Sequence, residues 1–484
     1  MPGIVVTTSV RTGPVNVQTS PTATMFVVGV TERGPDGSSH LVTSLSDFED
    51  IFGGYVSSGY VHQTIETFFE EGGARAYVSR VVDEDAVEAS LALSDGTGTC
   101  INLLASGTGT WANSGGLTAE VEQPSASTNF RIKIRLNGDL VYTTSVNTTA
   151  EAAIEEINNS AVAALYLTAA AGASDGIPSV IAATNFAGGT AGSSLVDADV
   201  DTALATFTSN LGPGAVCAPG FVSEDVRNYL LSHAESNNRI AVMSFAKDTD
   251  VSTAISEAAD HSGLSNAQYG AFFFPWVKIP NGSLTMTVPP EGYVCGTRAR
   301  VHNAFGSWNP YAGERTEARF VTGVYNALSK SDADSLDTGF VNAIRVINDT
   351  VRIYGARSAS EDTTNYRFII AREVLNQIVH EAETALEALL FLPIDGRQST
   401  FSRVQATLVG IMDRIRTGGG LYEAFNANGK QIDPGYTVQV NNANNPLSQL
   451  ANGVIKAKVG ARVSSIGDKI EVEITKSNLT STLV

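Results

Sequence analysis

Four kinds of residue pattern in this 484-residue chain could do chemistry, and each has a spacing that the chemistry demands. Gly172-Ala173-Ser174-Asp175-Gly176 fits Gly-x-Ser-x-Gly, the elbow that lifts a nucleophilic serine above an α/β sheet. That elbow needs a strand before the serine and a helix directly after it. Here Pro178 follows at once, within a stretch rich in Ala, Gly and Ser where the pattern arises easily by chance. A serine hydrolase using Ser174 is therefore the alternative reading, not the leading one. Asp197, Asp199 and Asp201 copy the opening of a calcium loop, but Thr202 stands where the loop needs Gly and Thr208 where it needs Glu. Carboxylates at a helix N-terminus are the simpler account. Gly429-Lys430 lacks the upstream glycine and downstream Ser/Thr of a phosphate loop. The six histidines, at 40, 62, 233, 261, 302 and 380, never take the short spacing of a helical metal pair. No nucleophile, base and oxyanion donor come together, so no catalytic residue, cofactor or metal ion is expected.

Composition narrows the classes further. Cys100, Cys217 and Cys295 are far apart with no C-x-x-C pair, which argues against a disulfide framework and for a reducing compartment. The opening MPGIVVTTSVRTGP has neither the basic start nor the long apolar stretch of a secretion signal, and no apolar run approaches the ~18 residues of a spanning helix. A soluble protein made in a cytoplasm is the expectation. The net charge of −19 is unevenly spread: residues 1–290 hold 11 Lys+Arg against 30 Asp+Glu, whereas 291–484 hold 20 of each. An acidic surface repels phosphates and anionic lipids, so nucleic acid and direct membrane insertion are poor expectations for the first three fifths.

The elements follow from periodicity. Residues 1–22 contain Pro2, Gly3, Gly13 and Pro14 between short β-like pieces at Ile4, Val5 and Val6 and at Val15 and Val17, which reads as an extended arm. From Met25 the run MFVVGV reads as a buried strand, Ser46 as the N-cap of a helix, Val61 to Phe69 as a second helix stopped by Gly72-Gly73, and Ala74 to Val82 as a strand. The rhythm returns near residue 213, with strands at 215–218, 239–245 and 269–279 separated by helices starting at Ser223 and Val251; Phe272 to Trp276 reads as sheet core. Strands alternating with helices predict a parallel, doubly wound sheet built from 23–85 and 210–290. Between them, 86–209 carries alternating strands such as FRIKIRL before Asn137-Gly138, a strong hairpin signal, and reads as an inserted, mainly β domain. Residues 291–465 read as an α+β C-terminal domain. Its clearest parts are a stripe at Phe368, Ala371, Leu375, Ile378, Ala382, Ala385 and Leu389, and a helix with Val404, Leu408, Ile411 and Ile415. The tail alternates at Val459 and Val463 and again at Ile470, Val472 and Ile474, giving two strands, the second in a C-terminal arm over 466–484. Trp308 in GSWNP is either local packing or interface.

Several of these segments, in this order, resemble the tail sheath proteins of contractile phages and related contractile injection systems. MFVVGVTERGP, LVTSLSDFEDIFGG and ETFFEEGGARAYVSRVV look like the start of the sheath core, and VCAPG with RIAVMSFA like its second half. VPPEGYVCGTRARVHNAFGSWNPYAG resembles the segment that opens the sheath C-terminal domain. VRIYGARSASEDTTNYRFIIARE resembles its GAR-containing strand and long helix, and FLPIDGRQSTFSRVQATLVGIMDRIRTGGGLYEAF the next helix. The likeness spans the arm, 23–85 and roughly 210–465, and says little about 86–209. Two departures stand out: Arg372-Glu373 replaces the usual Arg-Arg, and a Pro-Ala-Glu-Phe-like segment near the end is absent. The resemblance implies a non-enzymatic structural subunit that polymerises helically around an inner tail tube, between baseplate and tail terminator. It would sit in a virion tail or a cytoplasmic contractile particle. It further implies that 86–209 lies outermost, that 291–465 faces the tube, and that both arms add strands to neighbouring subunits. Arg403 and Arg414 are 11 residues apart, which at 100° per residue returns them to one helix face, a candidate contact for an acidic tube.

Overall fold

The computed structural model describes residues 20–124, 129–469 and 472. Its centre is an eight-stranded sheet: β1 (Met25–Gly29), β2 (Ser39–Val42), β3 (Ala76–Arg80), β4 (Ala215–Cys217), β5 (Ile240–Met243), β6 (Gly270–Phe274), β7 (Val341–Ile347) and β8 (Thr350–Tyr354). They lie in the order β2-β3-β1-β4-β5-β6-β7-β8. The six inner strands are parallel, and an antiparallel strand closes each end. Parallel strands covered on both faces must be apolar throughout, and β1 (MFVVG) and β6 (GAFFF) are buried at every position. Side chains alternate between two cores. Met25, Val27, Val78, Cys217, Val242 and Phe273 face one; Phe26, Val28, Val216, Ala241, Met243 and Phe272 face the other.

Helices Val61–Glu70 and Glu291–Phe305 cover the first face, and Glu224–Ser236 and Val251–Ser262 the second. The first pair crosses closely because Gly292 and Gly296 lie one turn apart: a Cβ on Gly292 would stand 2.6 Å from the Thr64 carbonyl oxygen, and one on Gly296 2.7 Å from that of Phe68. Ser223 caps its helix as expected, its hydroxyl accepting from the Val226 amide at 3.2 Å. The cap of the first helix, Leu45–Phe52, is Ser44 and not Ser46. Ser44 Oγ accepts from the Asp47 amide while Asp47 accepts from the Thr43 amide, a reciprocal arrangement that starts the helix two residues earlier.

Two boundaries differ from those drawn on the sequence. The sheet does not stop at 290, because β7 and β8 join it and Tyr293, Tyr311, Ile344, Ile353 and Ile369 complete its first core. The cause is long-range pairing: β7 lies beside β6 in parallel, so helical and loop segments must intervene. Likewise the insertion's own core runs from Ala89 to Phe186, whereas helix Asp197–Leu204 places Val200, Ala203 and Leu204 under the main sheet. The insertion holds a three-stranded and a four-stranded antiparallel sheet, with helix Ala150–Asn159 packed on the three-stranded one and all three contributing to a shared apolar core. Asn137 and Gly138 connect two of its strands with φ of 51° and 94°, the left-handed pair a tight hairpin requires. Buried Arg80 fastens the insertion to the sheet, donating to the carbonyls of Gly34 (3.1 Å) and Thr108 (2.8 Å).

Glu291, 2 % exposed, begins its helix inside the first core. One carboxyl oxygen accepts from Ser244 Oγ at 2.5 Å and the other has no partner. Burial pushes its carboxyl up to about 7, against the Ser244 hydrogen bond. Such an acid keeps in the folded state a proton that the unfolded chain releases near 4.5. Its contribution is thus fully present below about pH 4.5 and is lost as pH rises through about 7. Glu291→Gln is expected to remove on the order of 3 kcal/mol of pH-dependent stability between those values. Urea denaturation of both proteins at several pH values measures it; identical pH slopes would refute it.

Candidate assembly interface

The parts of the chain that could touch other subunits are the roots of its two ends, its strand edges, and a protruding helical pair. The N-terminal root is held firmly. Turn Pro21–Ala23 lies along helix Glu291–Phe305, where the Ser20 amide donates to Asn303 Oδ1 (2.8 Å), Thr22 Oγ1 meets His302 Nδ1 (3.1 Å) and Arg298 Nη1 donates to the Thr22 carbonyl (2.5 Å). Arg298 in turn grips Glu373 with two hydrogen bonds, 2.6 and 2.7 Å, both side chains being 1 % exposed. Burial lowers the Arg298 pKa and the Glu373 carboxylate more than offsets that, so the guanidinium stays charged. Burial and then Arg298 hold His302 well below its ordinary value, leaving a neutral ring against Thr22. Sequence reasoning noticed Glu373 only as a departure from an expected arginine; the departure itself was the available signal for this ion pair.

The C-terminal root is tied by Asp468 to Arg367 at 2.8 Å. Ile4, Val5, Val6, Val15, Val17, Ile470 and Ile474 lie outside the described residues, and Val472 is 74 % exposed. Val459, in strand Lys458–Ala461, pairs with Val438 of its own chain, and Val463 bridges Leu421. Among the described residues, the other edge of Lys458–Ala461 carries no further strand, whereas the outer edge of β8 is partly taken by its own chain: the Val351 carbonyl accepts from the Ala318 amide (3.0 Å) and the Ile353 amide donates to Thr316 Oγ1 (3.0 Å). An open edge such as that of Lys458–Ala461 accepts an added strand.

Helices Ile369–Glu387 and Ser399–Thr417 pack against each other over Val374, Ile378, Ile411, Met412 and Ile415, with Phe401, Val404 and Leu408 forming a smaller cluster beyond. The predicted apolar stripes therefore meet. Trp308 packs at their far end against Gly418 and Gly420, which is local packing. Arg403 and Arg414 are both exposed, but their electrostatics differ. Arg414 forms an ion pair with Glu381 of the preceding helix. Arg403 makes no ion pair or hydrogen bond among the described residues. Of the two, only Arg403 offers an uncompensated positive charge.

The chemistry-bearing patterns are structural here. Ser174 follows strand Leu167–Ala171 in a loop with no helix after it, and its hydroxyl donates to Asp95. Hydrogen bonds from Ser174, then from the Gly98 amide and Thr97, hold the Asp95 carboxyl well below the usual carboxylate range, so it is a poor proton acceptor near neutrality. Asp199 accepts from the Val196 amide at 2.8 Å and caps its helix. His40, His62, His233, His261 and His302 bond to Ser38, Glu49, Arg239, the Glu257 carbonyl and Thr22, none of them to Ser174. Among the described residues no three metal-ligating side chains cluster, and no helix is long and apolar enough to cross a membrane.

No protein-family model and no curated relative matches the chain. Solved structures do. The sheath complex of an extracellular contractile injection system, PVC, in its contracted state is 14% identical, with 99% of this chain and 98% of that chain covered and a TM-score of 0.58. The contracted helical sheath of the anti-feeding prophage is 13% identical over 99% of both chains, TM-score 0.57. The sheath tail protein of Listeria innocua is 14% identical over 87% of this chain and 89% of its own, TM-score 0.60. At such identities the likeness is one of fold, and it runs essentially end to end: this chain has the fold of the sheath proteins of contractile tails and contractile injection systems.

Proposed function

We propose that this protein is the structural subunit of a contractile sheath that polymerises helically around an inner tube and shortens to drive the tube through a target envelope. The observation that carries this reading is the end-to-end likeness to sheath proteins, 99% of both chains for an assembled helical sheath. Two features of the chain support it. The described residues next to both proposed arms are pinned to the body by side chains, Thr22 by Arg298 and Asp468 by Arg367. Several backbone hydrogen bonds at about 0.5–1.5 kcal/mol each would then let an arm on a neighbour's open strand edge persist while the bodies rotate. In addition, the insertion carries 3 Lys+Arg against 12 Asp+Glu over residues 86–209. Acidic outer domains repel one another as the lattice shortens, so contraction is driven by complementary contacts between the core bodies.

On this reading the partners are copies of the same chain, the inner tube, and the baseplate and terminator at the sheath's ends. The protein is not an enzyme, needs no cofactor, binds no nucleic acid and resides in a virion tail or a contractile particle assembled in a cytoplasm. Negative-stain microscopy of the purified protein tests it. Tubes or rings are expected; monodisperse particles whose ester hydrolysis disappears in Ser174→Ala would replace the sheath reading with the hydrolase.

The tube-facing contact narrows to Arg403. One uncompensated surface charge contributes up to about 1 kcal/mol, roughly a factor of five. Arg403→Glu is expected to weaken co-assembly with an acidic tube about fivefold at low salt and much less at high salt. Equal tube content in wild-type and variant sheaths at low salt would remove this contact.

A further inference from the structure

The two helices Ile369–Glu387 and Ser399–Thr417 are joined by a loop whose tip ends in bare apolar side chains. Phe391 is 102 % exposed and Leu390 61 %. Phe391 sits at a φ of 62°, in the left-handed region that bulky residues seldom occupy. A single exposed apolar residue needs no explanation, but here two adjacent large ones share a loop with Arg397, which is exposed and whose guanidinium makes no ion pair or hydrogen bond among the described residues. The loop's acidic residue does not neutralise it, because Asp395 is occupied by the Ser399 amide (3.0 Å) and hydroxyl (2.9 Å).

A surface of the opposite shape and charge lies elsewhere on the same chain. Helices Val251–Ser262 and Lys330–Thr338 leave between them an open groove of about 640 Å³, lined by Ile255, Ala259, Gly339 and Phe340 together with Asp334 and Thr338. The Asp334 carboxylate is exposed and has no partner among the described residues; only its backbone carbonyl is used, by Thr338 Oγ1. Tip and groove cannot meet within one subunit, since Phe391 touches nothing of its own chain. A knob and a groove formed by different segments of one chain make a head-to-tail contact between copies, which closes into a ring or continues as an open helix.

We propose that the Leu390-Phe391 tip of one subunit seats in the Ile255–Phe340 groove of a second copy, with Arg397 set against Asp334. This rests on the sheath reading for the presence of a neighbouring copy and adds to it a contact independent of the terminal arms. The ring supplies apolar burial, and the Arg–Asp pair sets which way round the two surfaces dock.

The test uses the full chain in a pelleting and negative-stain assay. Phe391→Asp is expected to raise the concentration needed for tube formation about tenfold, equivalent to about 1.4 kcal/mol, with an unchanged melting temperature because the side chain is free in the monomer. Arg397→Glu and Asp334→Arg are each expected to weaken assembly, and the two combined to restore it to within about twofold. Mixed tubes of Phe391→Cys and Thr338→Cys subunits, treated with copper–phenanthroline, are expected to give a cross-linked dimer, Cys100, Cys217 and Cys295 all being buried. If wild type forms no tubes, the sheath reading fails and this contact with it. If wild type and Phe391→Asp assemble alike, or the charge swap restores nothing, the contact is refuted and the sheath reading stands. If Phe391→Asp builds normal sheath that no longer retains an inner tube, the tip belongs to the tube and the proposal is overturned.

Discussion

Arg298→Met is expected to lower the free energy of unfolding by about 3–5 kcal/mol, the cost of leaving a buried charge without its partner. Glu373, 1 % exposed, receives both of its strong hydrogen bonds from this one guanidinium, and Met supplies none. The double replacement Arg298→Met with Glu373→Leu removes both charges and fills similar volume, so most of the loss should return. Chemical denaturation of the two single variants and the double variant measures the coupling. If the single variants cost under about 1 kcal/mol, the pair is not the anchor described here. The third bond of Arg298, to the Thr22 carbonyl, gives the variant a second signature. The double variant should regain stability yet hold the N-terminal root less tightly, seen as faster amide exchange at Thr22 to Thr24.

Deleting residues 1–19 is expected to abolish tube formation while leaving a folded monomer. Folding should survive because the deletion stops short of Ser20 and Thr22, which are the residues bonded to helix Glu291–Phe305. Assembly should fail because on the sheath reading an arm would contribute a row of backbone hydrogen bonds to a neighbour at once, and losing four or five at about 1 kcal/mol each changes an association constant by roughly a thousandfold. Circular dichroism and sedimentation separate the two effects. Normal helical tubes from the truncated chain would remove the arm model.

Much of the fold was legible because local physics and tertiary demand agree in it. Apolar runs such as MFVVGV, buried on both faces, announced parallel strands, and the stripes on Ile369–Glu387 and Ser399–Thr417 announced a helical pair. The first helix cap was placed two residues late because Ser44 and Ser46 are equivalent by type, and only the reciprocal bonding of Thr43, Ser44 and Asp47 selects between them. The boundary at 290 fell where composition changes, but composition does not report strand pairing: Phe272 opposite Val341 is a contact across about seventy residues.

The candidate surfaces divide along the same line. Helix geometry alone places Arg403 and Arg414 on one face, since that depends only on 100° per residue. It could not say that Glu381, on another helix, neutralises Arg414 and leaves Arg403 free. Residue types and their order along the chain determined the alternation of strands and helices, the inserted β segment, the lack of a spaced catalytic set and the likeness to sheath proteins. The tertiary structure alone decided that Arg298 and Glu373 share one buried site, that β7 and β8 extend the sheet past residue 290, and that Phe391 points into solvent. The reason is physical: periodicity and capping act within a few residues, whereas burial and charge neutralisation depend on which distant segments the folded chain brings together.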